Sequence, residues 1–344
     1  MLKIKVPGNN GDRYVPFDER PEAESTVYFT RDLSPEGLRK IAARVSGNLT
    51  GKIAIKLHTG EAEGPNIIPR PFVKELLKDL ENATIIETNT YYEGSRYTTD
   101  AHRKTLEING WTFCPVDIID EDGVAELPVK DGKWFTEMQV GKNLLNYDSM
   151  LTLTHFKGHV MGGFGGSNKN IGIGCADGRL GKKAIHTLVN SDDMWSIAKE
   201  ELMERITEST KATVDHFGDK VVFINVMRNM SVDCDCAGPD ATPVCTPEVG
   251  IVASTDILSV DNACVDLIYA LPEEGGQHLI KRMESRRAHR QLSYMQDLHM
   301  GNGRYKLIDI DHDDAEITAA EAVKGIAPKW VPDKYNTFPG RNEL

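Results

Sequence analysis

Ser149-Met-Leu-Thr-Leu-Thr154 runs without a break into His155-Phe-Lys-Gly-His-Val-Met-Gly-Gly-Phe-Gly-Gly-Ser-Asn-Lys-Asn-Ile-Gly-Ile-Gly-Cys-Ala-Asp-Gly-Arg-Leu-Gly-Lys182. The first six residues read as a buried strand, and glycines at the density that follows serve positive φ angles or close backbone approach. Upstream, Lys52-Ile-Ala-Ile-Lys-Leu57, Ala83-Thr-Ile-Ile-Glu-Thr88 and Thr112 to Ile118 also read as strands. Helical patterns lie between them: Ser34 to Val45, with Ser34 as N-cap and Pro35 in the first turn, then Pro71 to Leu80 and Thr99 to Asn109. Strands spaced by helices predict βαβ units, hence an α/β fold of mostly parallel sheet flanked by helices.

Beyond the glycines, the pattern predicts a helix from Ser191 to Lys211 with Asp192 and Asp193 at its positive end, and a strand from Lys220 to Val226. A short strand follows at Gly250 to Ser254, a helix at Ser259 to Tyr269, one basic helix from Gln277 to Met295, and a last strand at Arg304 to Ile310. Gly123 to Phe135 reads as a hairpin excursion, and the stretch before Ser34 carries little pattern. The expected division is into two lobes, 1–185 and 186–344, with the tail after Ala327 lying over the surface.

The chain has 344 residues, 40% apolar and 27% charged, with a formal net charge of −12. An acidic surface argues against nucleic acid as a partner, since phosphate binding needs basic groups. No stretch has the apolar length of a membrane span, and the N-terminus lacks an apolar signal core. A cytoplasmic protein is therefore expected, with its six cysteines as reduced thiols. A homo-oligomer is compatible with this composition.

Parallel sheets bind ligands at the carboxyl ends of their strands, where the glycine segment stands. The bland reading of the segment is a tight connection with solvated polar residues. His155, His159, Lys169, Cys175 and Lys182 in one glycine-rich stretch favour a site instead, with Gly165, Gly166 and Asn170 beside Lys169 as cofactor contacts. No helix is expected to open at its glycines, which argues against a dinucleotide fingerprint.

The second unusual stretch is Asn229-Met-Ser-Val-Asp-Cys-Asp-Cys-Ala-Gly-Pro-Asp240, followed by Cys245. Soft thiols and hard carboxylates in one turn suit zinc or iron, and Cys234 and Cys236 share a side if the loop is extended. Three thiols need a fourth ligand, which Cys175 or an aspartate could supply; the bland reading is a polar loop with incidental thiols. Cys114 and Cys264 read as core thiols. His58-Thr-Gly-Glu61 and Tyr91 to Arg96 each follow a strand and are balanced between structure and function. Asp309 to Asp314 reads as a solvated charge run, and Lys281 to Arg290 as a salt-bridged face or subunit contact.

From about Lys52 to Tyr269 the chain resembles the uncharacterised family known as domain of unknown function 362, whose members are often labelled Fe-S center proteins. The resemblance rests on Phe156-Lys-Gly-His159, Gly163-Phe-Gly-Gly166, Lys169-Asn-Ile-Gly172, Gly174-Cys-Ala176, Asp233-Cys-Asp-Cys236 and Gly250-Ile-Val-Ala-Ser-Thr-Asp256. Many relatives carry a ferredoxin-like insert after the glycines, and this chain has none there. His159-x-x-Gly-Gly-Phe-Gly-Gly-x-x-Lys169 also resembles the active-site segment of the nickel-pincer lactate racemase family. That resemblance implies a nickel-bearing pyridinium nucleotide held covalently by Lys169, His159 as acid or base, and His186 as a nickel ligand. Arg70-Pro71 and His102-Arg103 resemble further pairs of that family. On this reading His102 is a second acid/base candidate, and Arg70 or Arg103 takes the carboxylate of a small anionic substrate. The chemistry implied is racemase-like or redox; the alternative is an iron–sulfur or other metal protein for electron transfer or cofactor handling. Nickel, iron and zinc all remain open as the metal, with His186, Cys175, Cys234, Cys236 and Cys245 as candidate ligands.

Overall fold

The computed structural model describes residues 13–329, so the end of the tail expected over the surface lies outside the described residues. In chain order the strands are β1 (Glu24–Thr30), β2 (Ile53–Leu57), β3 (Ala83–Glu87), β4 (Val116–Ile118), β5 (Val124–Pro128), β6 (Glu137–Gly141) and β7 (Ser149–His155). They continue with β8 (Lys157–His159), β9 (Gly163–Gly165), β10 (Val221–Met227), β11 (Gly250–Ser254), β12 (Arg304–Asp309) and β13 (Ala315–Ile317). Nine of them form one sheet in the order β13-β12-β1-β11-β10-β7-β2-β3-β4. All run in one direction except β11 and β13, so the sheet is mostly parallel. Among the described residues, the parts before and after residue 185 are joined through it, because β7 pairs with β10 from Val221↔Met150 to Val226↔His155.

Alternation along the strands divides the core into two layers. Ile53, Ile55, Leu151, Leu153, Val222 and Ile224 pack under the helices Pro35–Ala43 and Arg70–Leu76. Ala54, Ile86, Met150 and Phe223 face the opposite layer, which holds the helices Ser167–Gly174, Lys199–Phe217 and Ile257–Ala270. The first of these elements follows its sequence closely: Ser34 caps helix Pro35–Ala43 by accepting from Gly37 N–H.

Four expectations about the elements are overturned. Glu24–Thr30 is a strand although its residues carry little pattern, because both its edges are paired, by β12 and β11. The helix expected from Ser191 starts at Lys199 and runs to Phe217, leaving Asp192 to pair with Lys183 at 2.6 Å. The basic helix breaks into Glu273–Ser285 and Arg290–Asp297 around Arg287, whose φ is +55°. Its charges are salt-bridged as expected, with Arg290 2.7 Å from Glu204.

The glycine segment also holds a helix, Ser167–Gly174, where none was expected. Its glycines serve packing: a Cβ on Gly172 would lie 2.4 Å from the Ile206 carbonyl oxygen, so only glycine lets this helix lie directly against Lys199–Phe217. Ser209 Oγ and Thr210 Oγ1 from that helix donate to the Gly172 and Asn168 carbonyls. The N-terminal N–H groups of Ser167 and Asn168 donate to the two oxygens of buried Asp261, at 2.8 and 3.0 Å. The positive end of the helix is thus occupied by a carboxylate of the chain itself, and no phosphate can take those donors.

A Cβ at position 166 would stand 2.5 Å from Asp261 Oδ1. Gly166→Ala is expected to displace that cap and cost about 1–3 kcal/mol, read by urea denaturation.

Candidate functional site

The carboxyl ends of β2, β3, β7 and β10 open onto one cavity of about 440 Å³, a size suited to a small molecule. β2 delivers His58, β3 leads to Tyr92 and Arg96, the glycine segment after β7 brings His159 and Lys169, and the loop after β10 brings Cys234 and Cys236. The glycine segment and the cysteine loop therefore share one site. His186 joins them from the end of the short helix Gly181–His186, and Met194 and Trp195 close the rim.

The cysteine loop is held from below. Asp235, between the two cysteines, turns away from the cavity. Its carboxylate lies 2.9 Å from His155 Nδ1 and 3.1 Å from Lys157 Nζ, all three side chains being almost fully buried. His155 Nε2 is 2.6 Å from the Arg228 carbonyl oxygen, so both ring nitrogens face acceptors and both carry hydrogen. Burial raises the Asp235 pKa, but the His155 and Lys157 charges outweigh it and hold the carboxyl well below the usual range. The loop is not extended as the sequence reading supposed, because Asp235–Asp240 forms a 3-10 turn with Cys234 just before it, yet Cys234 and Cys236 both line the cavity.

His159, Cys234 and Cys236 bring their ligand-type atoms within 4.8 Å of one another. His159 Nδ1, however, accepts from the N–H groups of Met161 at 3.1 Å and Gly162 at 2.8 Å. Its remaining nitrogen therefore carries the proton and presents an N–H, not a lone pair, to the thiols. His58 is fixed in the same sense, its Nδ1 accepting from Gly60 N–H at 2.9 Å. The Cys236 thiol donates to Cys234 and, with His159 and His58, holds the Cys234 thiol well below its ordinary pKa despite burial. Donating to Cys234, and burial, push Cys236 the other way.

His186 has the opposite tautomer. Its Nδ1 donates to the Lys182 carbonyl at 2.8 Å, which leaves an Nε2 lone pair for a metal or a proton. Burial lowers its pKa to about 4, and burial with the nearby Lys169 ammonium does the same for His159. Burial also lowers the pKa of Lys169, in part against the attraction of the two thiols.

The other cationic groups of the wall have partners. Lys56 is 3.0 Å from Glu87 and Arg96 is 2.9 Å from Glu61. The carboxylate of Glu61 also accepts from Tyr92 Oη at 2.6 Å. His58 and Arg96, which the sequence left balanced between structure and function, thus belong to the site. Their signal was position, immediately after β2 and β3. Gly165, Gly166 and Asn170 line the cavity as well, the Asn170 amide donating to the Lys56 and Leu153 carbonyls and to Thr154 Oγ1.

Other sequence candidates lie elsewhere. Arg70 opens its helix away from the cavity wall, beside Gly110, and Arg103 pairs with Glu121 at the surface. His102 is fully buried behind Asn89, its pKa lowered to about 3 by burial and by Arg96. Cys175 sits in the core, where burial pushes its pKa up to about 12. Cys245 Sγ contacts the Pro243 carbonyl at 3.4 Å, and Cys264 accepts from Asn225 in the core. Among the described residues only Cys234 and Cys236 bring thiols to the cavity, so a four-cysteine cluster does not fit there.

Removing the Asp235 carboxylate strands two buried cations. Asp235→Ala is expected to cost about 3–5 kcal/mol, measured by urea denaturation. Because His159 and His186 titrate near 4 when folded and near 6.5 when free, the unfolded chain takes up these protons first. Stability is therefore complete above about pH 6.5 and falls as pH drops toward 4. Asp261, raised by burial to about 6, offsets one of these protons by binding its own in the folded state. His186→Gln is expected to flatten the slope of stability against pH by about one proton in thermal melts between those limits.

Comparison with known proteins adds a family. No curated protein matches the sequence. Among solved structures, the lactate racemase apoprotein from Thermoanaerobacterium thermosaccharolyticum aligns with a TM-score of 0.36 and 14% identity, over 62% of this chain and 52% of that one. A Thermotoga maritima protein aligns with a TM-score of 0.33 and 12% identity, over 56% of this chain and 49% of that one. Each alignment spans about half of the other protein's length. The family described as domain of unknown function (DUF362) matches residues 53–266, from β2 to the helix after β11, and the chain belongs to that family.

Proposed function

We propose that the protein is an enzyme that binds a small anionic molecule in this cavity and acts on it by racemase-like proton transfer or redox chemistry, with a metal-bearing cofactor held by Lys169 and His186. The observation that carries the reading is the pairing of Lys169 with a histidine whose Nε2 lone pair is left free by the Lys182 carbonyl, both facing one cavity. Lys169 Nζ has no hydrogen-bond partner among the described residues, so its amine is open to a covalent bond or to an anion.

When bound, a nickel-bearing pyridinium nucleotide of the kind implied by the sequence resemblance would supply hydride transfer. This chain's own residues supply the rest. His159 presents an N–H that can donate a hydrogen bond to a substrate oxygen, and its Nδ1 is held by two backbone donors, so its role is to orient and polarise that oxygen rather than to take up its proton. Arg96, braced by Glu61, adds positive charge to the wall without being free to swing. Val160, Met161, Ile173 and Met194 keep the interior apolar, which strengthens each of these interactions. In place of Arg70 and Arg103, Arg96 provides the cationic character that a carboxylate requires.

Intact-mass and metal analysis of protein purified without oxygen from its native source tests this reading. A mass adduct mapping to Lys169 and one transition-metal ion per chain are expected, with the metal lost and the adduct kept in His186→Ala. An unmodified Lys169 in metal-free native protein overturns the cofactor assignment.

A further inference from the structure

The cofactor reading leaves the two cavity cysteines without a task. We infer that Cys234 and Cys236 form a reversible dithiol–disulfide couple that exchanges electrons with a small, carboxylate-bearing disulfide entering the same cavity. This goes beyond the role proposed for Lys169 and His186.

Four features point there. The Asp235 anchor fixes the loop between the cysteines and turns both thiols to one side, with their sulfurs within 4.8 Å. The other four cysteines are placed away from the cavity, so each sulfur has one thiol within reach. Cys234 also faces the N–H-bearing nitrogens of His159 and His58, donors that stabilise a sulfur anion, while Cys236 stands behind it as the second thiol. Arg96, held in the cavity wall by Glu61, offers the positive charge a carboxylate would meet.

The exchange balances without any further reactant. The Cys234 thiolate attacks one sulfur of R–S–S–R, the S–S bond breaks, and R–S⁻ departs from the mixed disulfide. Cys236 gives its proton to that R–S⁻, and its sulfur attacks Cys234 Sγ and expels the second R–S⁻. The two cysteines are oxidised by two electrons, and the incoming disulfide is reduced to one thiol and one thiolate.

The test uses the full-length, chelator-treated protein with dithiodiglycolate, a small dicarboxylate disulfide, followed by intact mass and peptide mapping. Wild type is expected to lose about 2 Da, two hydrogens, on the peptide carrying both cysteines, reversibly with dithiothreitol. Cys236→Ser is expected to accumulate the mixed disulfide on Cys234, and uncharged 2-hydroxyethyl disulfide to react about tenfold more slowly with wild type, the effect of one favourable charge contact. Folded wild type whose Cys234 and Cys236 stay as thiols in excess disulfide overturns the couple, as does a mixed disulfide on another cysteine in Cys236→Ser. Equal rates with the two probes overturn the anionic substrate class. Adducts on Lys169 map to a different peptide, so failure here and failure of the cofactor reading are separate results.

Discussion

The buried contact of Asp235 with His155 and Lys157 ties together the two segments from which the site is made. His155 ends β7 and Lys157 opens β8, so the anchor belongs to the glycine segment, while Asp235 belongs to the loop after β10. β7 and β10 are neighbours in the sheet, and their parallel pairing brings both carboxyl ends to one edge. The ion contact then sets which way the loop faces. With Asp235 drawn down at the start of a 3-10 turn, Cys234 and Cys236 line the cavity. A neutral residue in its place would leave the thiols free to turn and the two cations buried without an anion.

A second buried carboxylate governs the helix that carries Lys169. Asp261 accepts from two N-terminal N–H groups of that helix and from Asn225 in the middle of β10. The helix is thereby docked on the sheet through its polar end, while Gly172 lets its side lie against Lys199–Phe217. Lys169, near the start of this helix, is aimed into the cavity by a scaffold fixed at both end and flank. The same Asp261 explains why a glycine-rich turn at a helix N-terminus here is no nucleotide cradle.

Electrostatics inside the cavity follow from which cations are paired. Lys56, Lys157 and Arg96 each have a carboxylate close by, and these pairs hold the wall in shape. Lys169 does not, and the two thiols are the nearest groups able to answer its charge. His159 and His58 expose N–H while His186 exposes a lone pair, a difference set entirely by backbone groups two to four residues away. Three imidazoles of one cavity are thus given two chemical characters by local turns.

The sequence by itself determined the alternation of strands and helices, because apolar periodicity and caps such as Ser34 are local. It also located the glycine segment and the cysteine loop, since parallel strands carry ligands at their carboxyl ends wherever those strands lie. Glu24–Thr30 was not legible as a strand, for its stability comes from β11 and β12, far along the chain. Nor was the helix Ser167–Gly174, because low intrinsic helix propensity is offset by Asp261 at its end and by close packing that only glycine permits. Tertiary structure alone decided that Arg96 and His58 stand in the site and that Arg70, Arg103, Cys175 and Cys245 stand away from it. It alone also turned Asp235 from a possible ligand into the anchor of its two neighbours. Each of these outcomes depends on which side chain meets an opposite charge or a hydrogen-bond partner from a distant segment, and spacing along a single chain carries no record of that.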